Sequence, residues 1–435
     1  MSYYLRVRTK FVICYVVACS WALLSIWISI PWLIDLAQLT NWFWSIFIIF
    51  GIAIVPGFMN AFLACSLLFD KRPQKKSIST FPPITILIAA FNEEHNIVET
   101  ITSIANQVYS GTLSVIVIDD GSTDNTIEKV KSLSEYSWLT VIPLVTNQGK
   151  SQALNTGLQQ TATDLVITLD ADCYLYKNAL THLVSRYLSD PLNTAAVAGC
   201  VLVRNGRYNF VTRIQEWDYF LGIAAVKRVQ SLFQGTLVAQ GAFSLYQTSI
   251  LKGINGWRNT VGEDIVLTWD LLAKNHRIGF CEDAYCFTNA PTTWRQFIKQ
   301  RQRWSRGLVE AFKYNWRLLF KPRLTTLLIW WNLFFPYLDL VYTLFFIPGL
   351  ILALFGIYWI AGPLTFILIP MAIVVNYVIF REQIKNFKNS GLKIRKNILG
   401  LIFYTIFYSM ILQPASVLGY IKEVFQGNNK NWGTK

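Results

Sequence analysis

Three apolar runs in this sequence each end in carboxylates or in amide-bearing residues. Ile84 to Ala90 leads into Phe91-Asn92-Glu93-Glu94, Val115 to Ile118 into Asp119-Asp120-Gly121-Ser122-Thr123-Asp124, and Leu165 to Leu169 into Asp170-Ala171-Asp172. Asp170 and Asp172, one residue apart after an apolar strand, suit a divalent cation that also grips the two phosphates of a nucleotide sugar. Such an ion would neutralise a leaving diphosphate. D-x-D triplets also arise by chance. Asp and Asn cap helices and Asp-Gly makes turns, so the Asp120 turn reads equally well as local structure.

Further along, Gly262-Glu263-Asp264 precedes an amphipathic stretch, Ile265 to Ala273. A carboxylate there can act as general base on an attacking hydroxyl, and an acidic helix start is the equal alternative. Gln300-Arg301-Gln302-Arg303-Trp304 lies in a basic, aromatic stretch from Trp294 to Trp316 that reads first as an interfacial amphipathic helix. Within it, Arg303 can pair with phosphate and Trp304 can stack on a sugar ring. His95, His182 and His276 are far apart, with no HExxH or Cys-His grouping, which argues against a zinc enzyme. The 7 cysteines show no paired spacing and are expected to be reduced.

Those positions need a frame that gathers strand ends. The three runs are short and β-branched, as in strands buried on both faces of a parallel sheet, and polar turns and amphipathic stretches follow them. The expected domain is a doubly wound α/β sheet, whose ligands collect at the carboxyl ends of its strands.

Its setting is a membrane. Of 435 residues, 53% are hydrophobic and only 15% charged, too apolar for an ordinary soluble chain. The formal charge of +14 sits in short blocks beside apolar runs, which fits lipid headgroups and topology signals better than nucleic acid. Phe11 to Ile34 and Trp42 to Phe69 carry no charged group and each reaches the about 20 residues a spanning helix needs. Arg6, Arg8 and Lys10 precede the first run as in a signal peptide, but no small-residue cleavage site follows, so a retained anchor is expected. The connecting loop, Asp35 to Asn41, holds no Lys or Arg, whereas Lys71, Arg72, Lys75 and Lys76 follow the second run, placing both flanks in the cytoplasm.

Apolar runs resume at Leu324 to Ile360, Pro363 to Phe380 and Ile398 to Tyr420. The basic loop Arg381 to Lys396 stays cytosolic only if the first of these, though broken by Pro336, crosses once. Five spans are therefore expected, with Lys430 and Lys435 outside and Pro414 a point of weakness in the last span. The expected organisation is a transmembrane hairpin (1–70), a cytosolic domain (71–292), interfacial helices (293–323), transmembrane helices (324–423) and a tail (424–435).

In chain order, Asp119-Asp120-Gly121-Ser122, Gly149-Lys150, Asp170-Ala171-Asp172, Glu263-Asp264 and Gln300-x-x-Arg303-Trp304 make a set that resembles the processive, membrane-integrated family 2 glycosyltransferases. These include the poly-N-acetylglucosamine, chitin, hyaluronan and cellulose synthases. The resemblance covers about residues 80 to 310 and the flanking spans. It implies a GT-A fold, a multi-pass protein of the plasma (inner) membrane with a cytoplasmic catalytic domain, a UDP-sugar donor and a growing polysaccharide acceptor. It also implies a divalent ion, Mg²⁺ or Mn²⁺, since both accept such oxygen ligands.

Carried over by position, the resemblance makes Asp120 a contact to the nucleotide, with Asn92 and Glu93 shaping that pocket and Lys150 near the donor. Asp170 and Asp172 become the metal and diphosphate site, Asp264 the base, and Glu263 its neighbour on the acceptor side. Gln300, Arg303 and Trp304 would close over the diphosphate and present the acceptor, whose side of the site Gly241-Ala242-Phe243 would line. Gly262 departs from the Thr of many members, a change expected to matter little because that side chain carries no catalytic group.

The implied reaction is a single in-line displacement that inverts an α-linked donor to a β-glycosidic bond and releases UDP. The overall build is most similar to the poly-β-1,6-N-acetylglucosamine synthases, with N-acetylglucosamine as the expected sugar and export across the membrane. A PilZ-like extension is not expected, which disfavours the cellulose branch; hyaluronan-type and chitin-type synthesis stay open. The resemblance leaves room for a small membrane regulatory subunit. Two rival readings are a lipid-linked monosaccharide transferase, which would need no Q-x-x-R-W, and a transporter, which would leave the carboxylates at three strand ends unexplained.

Overall fold

The computed structural model describes residues 5–363, 365–393 and 397–426. Lys430 and Lys435, and the last three residues of the expected basic loop, lie outside them.

The domain that follows the first two apolar helices is built on one eight-stranded sheet. Its strands are β1 (Ile84–Ala90), β2 (Leu113–Asp119), β3 (Leu139–Pro143), β4 (Leu165–Leu169), β5 (Cys173–Leu175), β6 (Thr194–Val203), β7 (Phe243–Gln247) and β8 (Arg277–Thr288), in the order β3-β2-β1-β4-β7-β6-β8-β5. β3, β2, β1 and β4 run parallel. The sheet is then extended by β7, antiparallel to both β4 and β6, so the far half is mixed. Apolar residues fill β1 and β4 except at Thr85 and Thr168 because helices cover both faces, and every residue of the two strands is buried.

Alternation along β1 sends side chains to two cores. Ile86 and Ile88 meet Ile97, Ile101 and Ile104, one stripe of helix Ile97–Ala105. Burying each such side chain contributes about 1.5–3 kcal/mol. Leu87 and Ala89 face the other core, where Trp269, Leu272, Leu308 and Ile329 pack together with Phe62 of the N-terminal hairpin. The rings of Phe11 and Phe62 stand 5.1 and 5.4 Å from that of Phe233, so the hairpin and the sheet domain share one hydrophobic core. The carboxylate of Asp70, at the junction, is buried between Arg72 (3.1 Å) and Arg228 (2.7 Å).

Among the described residues, three helices are long and apolar enough to cross a bilayer: Val7–Leu39, Trp42–Leu68 and Thr325–Leu354. The pair Ile398–Ile406 and Tyr408–Phe425, bent by 52°, would add a fourth if it is one span. Helix Thr365–Asn389 covers the run expected at 363–380. The expected loop at Asp35 to Asn41 is corrected. The first helix continues to Leu39 because Asp35-Leu-Ala-Gln-Leu contains no breaker, and Asn41 caps the next helix through the Trp44 N–H at 3.1 Å. Pro336 sits inside an unbroken helix, and the bend in the final pair falls at Phe407, well before Pro414. Both π-helical segments in the apolar helices, Phe50–Ile54 and Tyr342–Phe346, come just before Pro56 and Pro348, whose missing N–H groups a wider turn accommodates.

Candidate active site

The first two parallel strands end in a polar cradle. Asn92 has φ of 55°, a left-handed conformation that Asn tolerates. There its N–H donates to Ser122 Oγ at 2.9 Å and its side-chain oxygen accepts the Thr123 N–H at 2.9 Å. The Glu93 N–H donates to Thr126 Oγ1 (2.8 Å), and its carboxylate accepts from Asn96 (2.8 Å). Gly121, at φ 72°, admits no other residue, since a Cβ would lie 2.9 Å from the backbone of Thr146 and Asn147.

Asp120 is fully buried, and its two oxygens accept the N–H groups of Gln148 (2.8 Å) and Gly149 (2.9 Å). Burial raises its pKa against those two hydrogen bonds. Asp120 thereby fixes the turn that launches helix Lys150–Gln159, so it positions Lys150.

Lys150 is the hub. Its Nζ lies 2.6 Å from Asp170 Oδ1, at the end of β4, and 3.4 Å from Glu263 Oε1, on helix Glu263–Ala273. Burial works against its charge, yet Asp170, then Glu263 and Asp264, more than offset this and raise its pKa. Burial likewise raises the pKa of Glu263, with Lys150 and Arg303 opposing and Asp264 reinforcing. Asp264 Oδ2 accepts the Gly241 N–H at 3.3 Å and its Oδ1 the Ile265 N–H at 2.8 Å. Ala242 is held beside Asp170, whose N–H donates to its carbonyl at 3.3 Å.

Ligand atoms of Asp170, Asp172 and Cys173 lie within 4.8 Å of one another. The two carboxylates are the hard donors that Mg²⁺ or Mn²⁺ prefers. Cys173 is a poor third ligand: its hydrogen bond with Cys286, then burial, raise its pKa well above the ordinary thiol value. The Thr288 hydroxyl orients Asp172 from 3.3 Å. The residues present therefore fit such an ion. All seven cysteines are free.

Helix Trp294–Asn315 does not lie loose on a surface. Arg301, Gln302, Ser305, Gly307 and Glu310 are buried along it. Gly307 meets Gly262 so closely that a Cβ on Gly262 would stand 2.4 Å from the Gly307 Cα, while Glu310 accepts the N–H groups of Val261 (3.1 Å) and Gly262 (2.9 Å). Gly419 of the last helix abuts Gln302 and Ser305 on another side. The purely lipid-facing alternative does not describe this helix, and Gly262 is a packing requirement where the sequence suggested indifference.

Gln300 is half-buried, its side-chain oxygen shielded from solvent without a hydrogen-bond partner among the described residues. Trp304 is 39% exposed. Its ring takes the Arg301 guanidinium at 4.0 Å and faces Tyr219 at 6.3 Å. Arg301, unassigned by sequence, is buried and paired with Asp218 at 2.9 Å; nothing in the spacing separates it from Arg303. Lys227 and Gln240, just behind Gly241, were equally silent in the sequence.

The sheet and its flanking helices share a GT-A-like fold with a mannosyltransferase from Pyrobaculum calidifontis solved with GDP-Man and Mn²⁺. The TM-score is 0.57 at 18% identity, covering 86% of this chain and 95% of that one. Residues 85–254 match the model of Glycosyl transferase family 2.

The chain is similar to the poly-β-1,6-N-acetyl-D-glucosamine synthase of Staphylococcus aureus, 31% identical over 239 residues, which is 55% of this chain and 57% of that protein. It is also similar to the synthase of the same name from Staphylococcus epidermidis, 31% identical over 225 residues, or 52% of this chain and 54% of the relative. The chain thus spans little more than half the length of these curated relatives. The family match ends before Glu263, Asp264 and the Gln300–Trp304 stretch.

Proposed function

We propose that the protein is an inverting, membrane-embedded glycosyltransferase that passes a hexose unit, N-acetylglucosamine in the first instance, from a UDP-sugar to a growing β-linked polysaccharide. The observation that carries this is the Lys150 bridge from Asp170 to Glu263, which joins the phosphate end of the site to the carboxylates of the acceptor end. The likeness to two poly-β-1,6-N-acetyl-D-glucosamine synthases supports the choice of sugar. The placing of Lys and Arg around the apolar helices supports a plasma-membrane protein, multi-pass, with the domain in the cytoplasm.

In this reading Asn92, Glu93 and Asp120 organise the nucleotide side, and Lys150 and Arg303 face the phosphates. A divalent ion held by Asp170 and Asp172 would draw charge from the diphosphate as it leaves. Gly241, Ala242, Glu263, Gln300 and Trp304 present the acceptor sugar. Asp264 takes the proton of its hydroxyl; that oxygen attacks the anomeric carbon, and the bond from this carbon to the diphosphate oxygen breaks with inversion. The export of the product falls to the apolar helices.

Purified protein given single UDP-sugars should release UDP with UDP-N-acetylglucosamine in the presence of Mg²⁺ or Mn²⁺ and stop on chelation; failure to release UDP from any of the UDP-sugars would sink the reading. Arg303→Ala is expected to lower kcat by about 100-fold, as for loss of one donor to a developing phosphate charge. UDP release measures it, and normal turnover would return Arg303 to a packing role.

A further inference from the structure

We propose that Lys227 is a positioning residue for the transfer: from beneath the acceptor-side loop Val238 to Gly241, it sets the place of the Asp264 carboxylate. This rests on the assignment of Asp264 as base and extends it to a residue on another element. Lys227 lies on helix Ala224–Leu232 and is buried, 7% exposed. Its ammonium donates to the Val238 carbonyl at 3.0 Å and to the side-chain oxygen of Gln240. The Gln240 amide nitrogen donates to the Gly199 carbonyl at 2.7 Å, which turns the amide oxygen toward Lys227.

The base-bearing helix grips the same loop from the other side. The Ala239 N–H donates to Thr268 Oγ1 (2.8 Å), whose own hydroxyl donates to the Asp264 carbonyl (2.7 Å). Tyr246 donates its hydroxyl to the Ala239 carbonyl at 3.0 Å. Residues 238, 239 and 240 are thus each pinned, and the next N–H, that of Gly241, reaches Asp264 Oδ2. Lys227 is the cation of this assembly, and both its contacts are neutral.

An ammonium buried on neutral oxygens is costly, and an apolar residue of similar length would pack there at lower cost. The charge has a reason if it acts on the carboxylate beyond the loop. The ionisable groups facing Lys227 are Asp264, from helix Glu263–Ala273, and Cys200, from β6; burial pushes the Lys227 pKa down to about 8, with Asp264 and then Cys200 opposing. Below that pH the ammonium keeps its charge behind the loop that carries the Gly241 N–H; as pH rises through it, the charge is lost and turnover should fall.

The test is the pH profile of kcat, with UDP binding measured in parallel, for wild type, Lys227→Met and Lys227→Arg. Lys227→Met is expected to lower kcat about 30-fold, to leave UDP affinity within about twofold and to lose the alkaline limb. Lys227→Arg should recover most of kcat and carry the alkaline limb out of range, because guanidinium stays charged. An alkaline limb unchanged in Lys227→Arg overturns the proposal, and so does a uniform loss of kcat and UDP affinity in that variant. Should Lys227→Met fail to fold, Lys227→Arg decides alone. If Asp264→Asn stays active, it is the base assignment that has failed; if that variant is dead while Lys227→Met matches wild type, the positioning role alone is wrong.

Discussion

Asp264→Asn is expected to lower kcat by about 10²–10⁴-fold while UDP affinity stays within about threefold. Asparagine keeps the size of the side chain and an oxygen that can still accept the Gly241 N–H, now 3.3 Å from Oδ2. It removes the atom able to take a proton from the acceptor. The phosphate end is untouched, since Lys150 contacts Asp170 and Glu263 and makes no hydrogen bond to Asp264 among the described residues. A variant with wild-type turnover would move the base elsewhere. One that lost UDP binding in step with kcat would make Asp264 a scaffold of the donor site.

Gly262→Thr should be damaging in both stability and turnover, although the threonine is common at this place in the enzymes the sequence resembles. A Cβ on Gly262 would stand 2.4 Å from the Gly307 Cα and 3.2 Å from its carbonyl carbon, both backbone atoms that no rotamer change can move. Helix Trp294–Asn315 would have to retreat, carrying Arg303 with it and releasing Glu310 from the N–H groups of Val261 and Gly262. Overpacking of this kind costs about 1–3 kcal/mol, and the shift of Arg303 should lower kcat by about tenfold or more. Thermal midpoint and UDP release, measured together, check both. Wild-type values for both would mean that the two helices do not meet so closely.

Three of the four parallel strands were legible because burial on both faces leaves its own mark: β1 and β4 carry apolar runs whose limits, Ile84–Ala90 and Leu165–Leu169, are those of the strands, whereas β3, at the sheet edge with no fully buried residue, carries no such run and was missed. The strand-end carboxylates were legible for the same reason, since a polar turn after such a run has few other places to lie. Antiparallel β7 was not, because Phe243-Ser-Leu-Tyr-Gln has no pattern that tells which neighbours it joins. Lys227 was hidden for a different reason. In Ala-Ala-Val-Lys-Arg-Val-Gln-Ser a lysine reads as solvated, and only the packing of three distant elements buries it. Gly262 and Gly307, 45 positions apart, show nothing of their contact until the two helices cross.

The proposal that a polymer is made rests most on Gln300, Arg303 and Trp304, and the size of the product tests it most directly. Purified full-length protein in lipid nanodiscs, given UDP-N-acetylglucosamine and Mg²⁺ or Mn²⁺, should yield long chains while most acceptors remain unextended, and a glycosidase specific for β-1,6 linkages should degrade them. A product confined to one sugar on a lipid, whatever the enzyme concentration, would contradict the account.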